Sequence, residues 1–216
     1  MTSPENYVFD KSAIGNYPPG VSDWAALQTP LRVQKFTDPA AASANAIKTA
    51  IASSTSAVTY SGAQLDGSIG SGVISPPRNI TVTTAGSTAS DAPATATITG
   101  KAIDGSTLTE TINVAQTATS AVGVKCFAQV TSIALSAGDG TGATLTFGTG
   151  LVMGLDSKLA DLGVAAAAVL KEVAAGSVVT TGTFVLPATS PPFGSYSPSS
   201  APNGSNDYAV LYVVGS

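Results

Sequence analysis

Three short stretches with a strict two-residue period constrain this chain more than any other feature. Arg78-Asn79-Ile80-Thr81-Val82-Thr83 alternates polar and apolar, and Ala94-Thr95-Ala96-Thr97-Ile98-Thr99 alternates in the same way. From Thr107 to Val114, Leu108, Ile112 and Val114 fall on one face, with Thr107, Thr109 and Thr111 on the other. β-branched residues at this period specify antiparallel strands with one buried face. Asp104-Gly105, between the second and third runs, is a two-residue hairpin turn signal. Further strands are expected over Val124–Leu135 (bulged or broken near Thr131-Ser132), Ala143–Phe147, Ser177–Leu186 and Tyr208–Val214. Gly138-Asp139-Gly140-Thr141-Gly142 and Asn203-Gly204 provide turn chemistry between them. The expected fold is all-β, an antiparallel β-sandwich or barrel with an extended N-terminal arm.

The arm is expected over residues 1–60 and the body over 61–216. Residues 1 to 40 hold Tyr7, Phe9, Tyr17, Trp24 and Phe36 among Pro4, Pro18, Pro19, Pro30 and Pro39, a spacing that admits no long helix. Aromatic side chains on a segment without its own core call for burial on a surface, either the body's or a neighbouring subunit's. These five residues are the candidate partner contacts. Asp38 as N-cap, Pro39 as first helical residue and Ile47/Ile51 at i, i+4 suggest a short helix between residues 38 and 52. Ser157–Glu172 is open between a helix and a strand running from Val164 to Val173. Pro187–Pro202 carries five prolines and reads as a loop ordered by packing.

Composition narrows function by exclusion. Only 10% of the 216 residues are charged, against about 25% in ordinary globular chains. Nine basic residues against thirteen acidic ones provide no basic patch for nucleic acid. The absence of histidine removes histidine-based catalysis and histidine-ligated metals, and a single cysteine removes any disulfide framework. The longest apolar run, Val164–Leu170, is far shorter than the roughly 20 residues of a membrane helix. Met1–Asn6 has no basic n-region and no apolar stretch, so no secretory signal is expected.

No chemistry-bearing motif survives comparison with a plainer reading. Asp66, Asp104 and Asp139 each precede glycine, as turn residues do. The 138–142 loop lacks the lysine and following helix of a phosphate loop, and the several carboxylates of a calcium loop. Ser68 and Ser71 have no histidine base, and Ser157-Lys158 has the wrong spacing for a Ser-x-x-Lys dyad. Cys126 lies in a strand-like run and reads as a small buried hydrophobe. Glu110 shares a face with Leu108 and Ile112, and marks a strand end, a guarded edge position or an intersubunit ion-pair partner. No catalytic residue, cofactor or metal site is expected.

Four segments carry a resemblance. Ser75–Thr83 resembles a "PRNVTVT" strand, and Thr97–Ile112 is similar to a "VTGTDANGNALTETI" hairpin. Lys125–Ile133 resembles "KAFKTVTSI", with Cys126 where the pattern has alanine, and Ala201–Val210 is similar to "APNGTNDYVV". These patterns belong to small virion structural proteins of tailed bacteriophages. The likeness spans roughly residues 73–155 and the last 35 or so, and leaves the arm uncovered. It implies a capsid decoration (cement) protein, made in the host cytoplasm and located in the virion. Its partners would be the major capsid protein and copies of itself, a trimer being one closed arrangement. Neither nucleic acid nor membrane is an expected partner. A tail or baseplate-associated subunit is the alternative, and a carbohydrate-binding β-sandwich a third reading.

Overall fold

A computed structural model describes residues 31–116, 119–160, 167–174, 177–179 and 181–215. The expected all-β class holds. The strands are β1 (Leu31–Phe36), β2 (Ser43–Ala52), β3 (Val58–Ser61), β4 (Val73–Gly86), β5 (Thr95–Lys101), β6 (Thr107–Asn113) and β7 (Ser120–Leu135). They continue as β8 (Ala143–Gly154), β9 (Ala167–Ala174), β10 (Ser177–Val179), β11 (Gly182–Val185), β12 (Ser195–Pro198) and β13 (Asp207–Val213). The larger sheet runs β11-β12-β8-β4-β7-β5-β6, with β2 also on β8 and β3 also on β7; the smaller runs β1-β13-β9-β10. Every pairing in both sheets is antiparallel.

The alternating stretches behave as their period requires. In β6, Leu108, Glu110 and Ile112 are buried while Thr107, Thr109, Thr111 and Asn113 are exposed. The β5–β6 turn is built on Asp104-Gly105: Gly105 takes φ +81°, where a Cβ would be strained, and Ser106 N–H donates to Asp104 Oδ1 at 2.9 Å. The expected irregularity in β7 falls at Thr131, which the register leaves out because Ser132 pairs with Thr99 and Val130 with Gly100. Its hydroxyl turns back to donate to Thr99 O at 3.1 Å.

Two cores result. Ile47, Ile80, Val82, Ile98, Phe127, Ile133, Leu145 and Phe147 anchor the first, inside the curl of the larger sheet. Phe36, Met153, Leu155, Phe184, Tyr196, Tyr208, Val210 and Tyr212 form the second, where the smaller sheet meets the β8-β12-β11 end. Each large apolar side chain buried this way contributes about 1.5–3 kcal/mol.

Several expectations are corrected. No helix forms between residues 38 and 52. Asp38 sits at φ +45°, outside the extended region that an N-cap uses, and residues 43–52 are β2. The i, i+4 pair Ile47 and Ile51 misled because four is an even number. It keeps two residues on one face of a strand as well as of a helix, and pairing with β8 overrides the alanine propensity. β1, β2 and most of β3 precede residue 61 and are paired into the sheets, and Leu31–Ser216 is by itself one compact unit. The stretch left open after Ser157 contains strand β9. The single strand expected over Ser177–Leu186 is two, β10 and β11, in different sheets. The proline-rich loop contains β12, which pairs with both β11 and β8.

Candidate functional site

The segment Arg78-Asn79, where the first resemblance lies, organises the centre of the larger sheet. Thr81 pairs with Val122 and Asn79 with Cys126, so Gly123, Val124 and Lys125 of β7 stand opposite Ile80 alone. On the other side Ile80 pairs with Thr149 and Arg78 with Met153, leaving Gly150, Leu151 and Val152 of β8 opposite Asn79. Both neighbours of β4 therefore bulge at the same level, and their backbone groups lose ladder partners. A buried group left unpaired costs about 1–3 kcal/mol.

Side chains replace the missing ladder. Asn79, fully buried, donates from Nδ2 to Gly123 O at 2.9 Å and accepts from Val152 N–H on Oδ1 at 3.0 Å. Arg78 donates from Nε and Nη2 to Gly150 O at 2.9 and 2.7 Å, and from Nη1 to Ala40 O at 3.1 Å. Glu110, reaching from β6, accepts from Val124 N–H at 2.7 Å and from Lys125 N–H at 3.3 Å. Lys125 Nζ returns to Thr109 O at 2.7 Å, so β6 is tied to the first half of β7 by two side chains. Glycine leaves room for the staple at both bulges: a Cβ at Gly150 would push on the Asn79 amide, and one at Gly123 would lie 2.5 Å from Glu110 Oε2.

Glu110 thus has its place. It stands in the middle of β6, not at a strand end, and β6 is the last strand on its side of the sheet. Its carboxylate is turned onto the chain's own backbone at Val124 and Lys125.

Beside this staple lies Cys126, buried, with its thiol 3.8 Å from Val152 O. Burial pushes the thiol up to about 12, against the opposing pull of Ser190, Arg78 and Ser195. Burial also lowers the Arg78 guanidinium from its ordinary value. A protonated, enclosed thiol is a poor nucleophile.

The second sheet is latched to the first by another polar cluster. Arg32 grips Asp156 through Nη2 at 2.6 Å and Nε at 3.2 Å, and Tyr212 OH donates to the same carboxylate at 2.9 Å. Gln34 Oε1 accepts from Asp156 N–H at 3.0 Å. Burial raises the Asp156 carboxyl, but the bonds from Arg32 and Tyr212 outweigh it and hold the group below its usual range. A smaller clasp joins Lys48 Nζ and Thr49 N–H to Asp66, and Lys48 keeps that carboxyl well below its usual range. Asp104 acts as a turn residue, as its position before glycine suggested, whereas the Asp66 carboxylate holds Lys48 and Thr49 of β2. In the 138–142 loop, Gly142 N–H donates to Asp91 Oδ2 at 2.8 Å.

Of the five candidate contacts, Tyr7, Phe9, Tyr17 and Trp24 lie outside the described residues. Phe36 is 4% exposed and stacks on Tyr196 at 6.4 Å between ring centroids, within the chain's own second core. Among the described residues the outward large apolar side chains are Leu31, Val33, Val73, Ile103, Val122, Val124 and Leu151. Sequence reasoning missed them because Val122, Val124 and Leu151 sit at or beside bulges, where alternation breaks.

Among the described residues no three histidine, cysteine, aspartate or glutamate side chains converge as a metal site would require. Nor is any helix among them long and apolar enough to cross a membrane. No protein-family model, curated protein or solved structure matches the chain.

Proposed function

We propose that this chain is a structural protein of a tailed-phage virion, and specifically a decoration (cement) protein seated on the outer face of the major capsid lattice. The observation that carries the reading is what the resembling segments do with their polar side chains. Arg78, Asn79 and Glu110 are all turned onto the chain's own backbone, so these motifs build a rigid body and present no reactive group. What faces outward on β5 and β6 is threonine, with apolar residues at the bulges. A weakly charged hydroxyl surface suits repeated packing contacts that salt screens little. Residues 1–30, which bring Tyr7, Phe9, Tyr17 and Trp24, would add contact with the capsid protein or with another copy.

Copy number in purified virions tests the location. Hundreds of copies fit a decoration protein, while a handful would move it to the tail or baseplate. Purified chain added to undecorated capsids should co-sediment with them. A variant lacking residues 1–30, which keeps β1 intact, should bind more weakly with an unchanged far-UV spectrum. Unchanged binding would remove the arm from the reading.

A further inference from the structure

The turn ahead of β13 holds a chemically labile pair. Asn203, Gly204 and Ser205 are exposed, between the buried Pro202 and Asn206. In an Asn-Gly pair the glycine nitrogen, on losing its proton, attacks the asparagine Cγ, unhindered by any side chain of its own. A C–N bond forms, the bond from Cγ to the side-chain nitrogen breaks, and that nitrogen leaves with a proton as ammonia. The five-membered imide then takes up one water at either carbonyl, giving an aspartyl or an isoaspartyl link. Water is the only co-reactant.

The folded turn withholds this reaction. Gly204 N–H donates to Pro39 O at 3.0 Å and Asp38 N–H to Asp207 Oδ1 at 3.2 Å, which clasps the β1–β2 connection to both ends of the turn. Asn203 Oδ1 accepts from Ser205 N–H and Asn206 N–H, each at 2.9 Å, and Asn206 Nδ2 donates to Ala201 O at 3.1 Å. Two donors on Oδ1 polarise the Cγ carbonyl and by themselves favour attack. The attacking nitrogen is what the fold keeps back. Its proton is held on Pro39 O and its position is fixed, and misplacing a reacting atom by about 1 Å costs on the order of 10²-fold.

We propose that Asn203-Gly204 is a site of spontaneous deamidation gated by the Pro39 clasp, inert while the clasp is closed and modified when it opens. An isoaspartyl link adds one carbon to the main chain, so Gly204 N–H no longer meets Pro39 O. The clasp then cannot re-form. The modification is a one-way record of chains whose β1–β2 connection has come away from the start of β13, whatever the function of the chain.

Ageing the full chain at neutral pH, native and in urea, tests the gate through peptide mass and isoaspartyl content at residue 203. The native chain is expected to react at least tenfold more slowly, a factor that about 1.4 kcal/mol of opening free energy supplies. Asp207→Ala removes the acceptor of Asp38 N–H and should quicken the native reaction severalfold while leaving the rate in urea unchanged. Hydrogen exchange at Gly204 N–H reads the clasp in the unaltered chain, where protection is expected, and decides the matter should the variant fail to fold. Equal rates in the native and urea-unfolded chain, a folded Asp207→Ala variant no faster than its parent, an unprotected Gly204 N–H, or no reaction at residue 203 in urea would each overturn the proposal.

Discussion

The carboxylate of Glu110 accepts the backbone N–H of Val124 at 2.7 Å, across a gap that no strand ladder fills. A side chain from the last strand of the sheet does here what a neighbouring carbonyl does elsewhere. Glu110→Ala is therefore expected to lower stability by about 1–3 kcal/mol, because two N–H groups lose their acceptor in a part-buried bulge. Glu110→Gln keeps one acceptor oxygen and should cost less. Urea unfolding of both variants gives the comparison.

Gly123 and Glu110 should be coupled. A methyl group at Gly123 would lie 2.5 Å from Glu110 Oε2, so Gly123→Ala destabilises the native chain chiefly by displacing that carboxylate. In a Glu110→Ala background the same substitution should cost less by about 0.5–3 kcal/mol, the range seen for residues in direct contact. Equal costs in the two backgrounds would show that the glycine is needed for another reason.

Asn79→Ala removes the one side chain that serves bulges on both sides of β4. It strands Gly123 O and Val152 N–H together, and a loss of about 2–4 kcal/mol is expected. Asn79→Asp still accepts from Val152 but repels the Gly123 carbonyl, so at neutral pH it should not rescue the fold. Hydrogen exchange at Val152 separates the two variants, with faster exchange expected only in the alanine variant.

The Arg32–Asp156–Tyr212 latch sets an acid dependence. The Asp156 carboxyl is held below its ordinary value in the folded chain, so the unfolded chain binds the proton more tightly. Its contribution is present above about pH 4, the unfolded value, and is lost as pH falls through the folded one. Asp156→Asn should flatten the acid limb of the stability curve while leaving the slope above neutrality unchanged.

Cys126 governs the opposite limb. Its thiol is raised to about 12 by burial, so its contribution is intact below the unfolded value near 8.5 and falls as pH climbs from there toward 12. Cys126→Ala should lose this alkaline slope. In the native chain at neutral pH the thiol should resist alkylation until denaturant is added.

What the sequence disclosed and what it hid divide along one physical line. β5 and β6 alternate without interruption, so period, face and turn were all readable. β4, β7 and β8 were recognisable as strands, but their bulges at Asn79 depend on which strands become neighbours, and no local pattern encodes that. The same holds for Glu110. Its inward position was legible, whereas its partners at Val124 and Lys125 come from the curl of the sheet. β2 was missed because alanine-rich, evenly spaced apolar residues satisfy two periods, and the choice between them is made by β8. Which surface takes Phe36 was not legible, because its core is assembled from Tyr196, Tyr208 and Tyr212, all far along the chain.

The pairing of β1 with β13 also governs the order of events in folding. Gln34 and Tyr212 meet at a separation of 178 residues along the chain. On the ribosome, β1 emerges early and must wait, with Phe36 uncovered, until almost the whole chain has followed. The first core can condense around β4–β8 in the meantime. The smaller sheet closes only when its final strand arrives, so it is a late and slow step set by loop closure rather than by local propensity. Chaperone dependence, premature proteolysis and misassembly between nascent chains should therefore concentrate at this sheet rather than at the stapled centre.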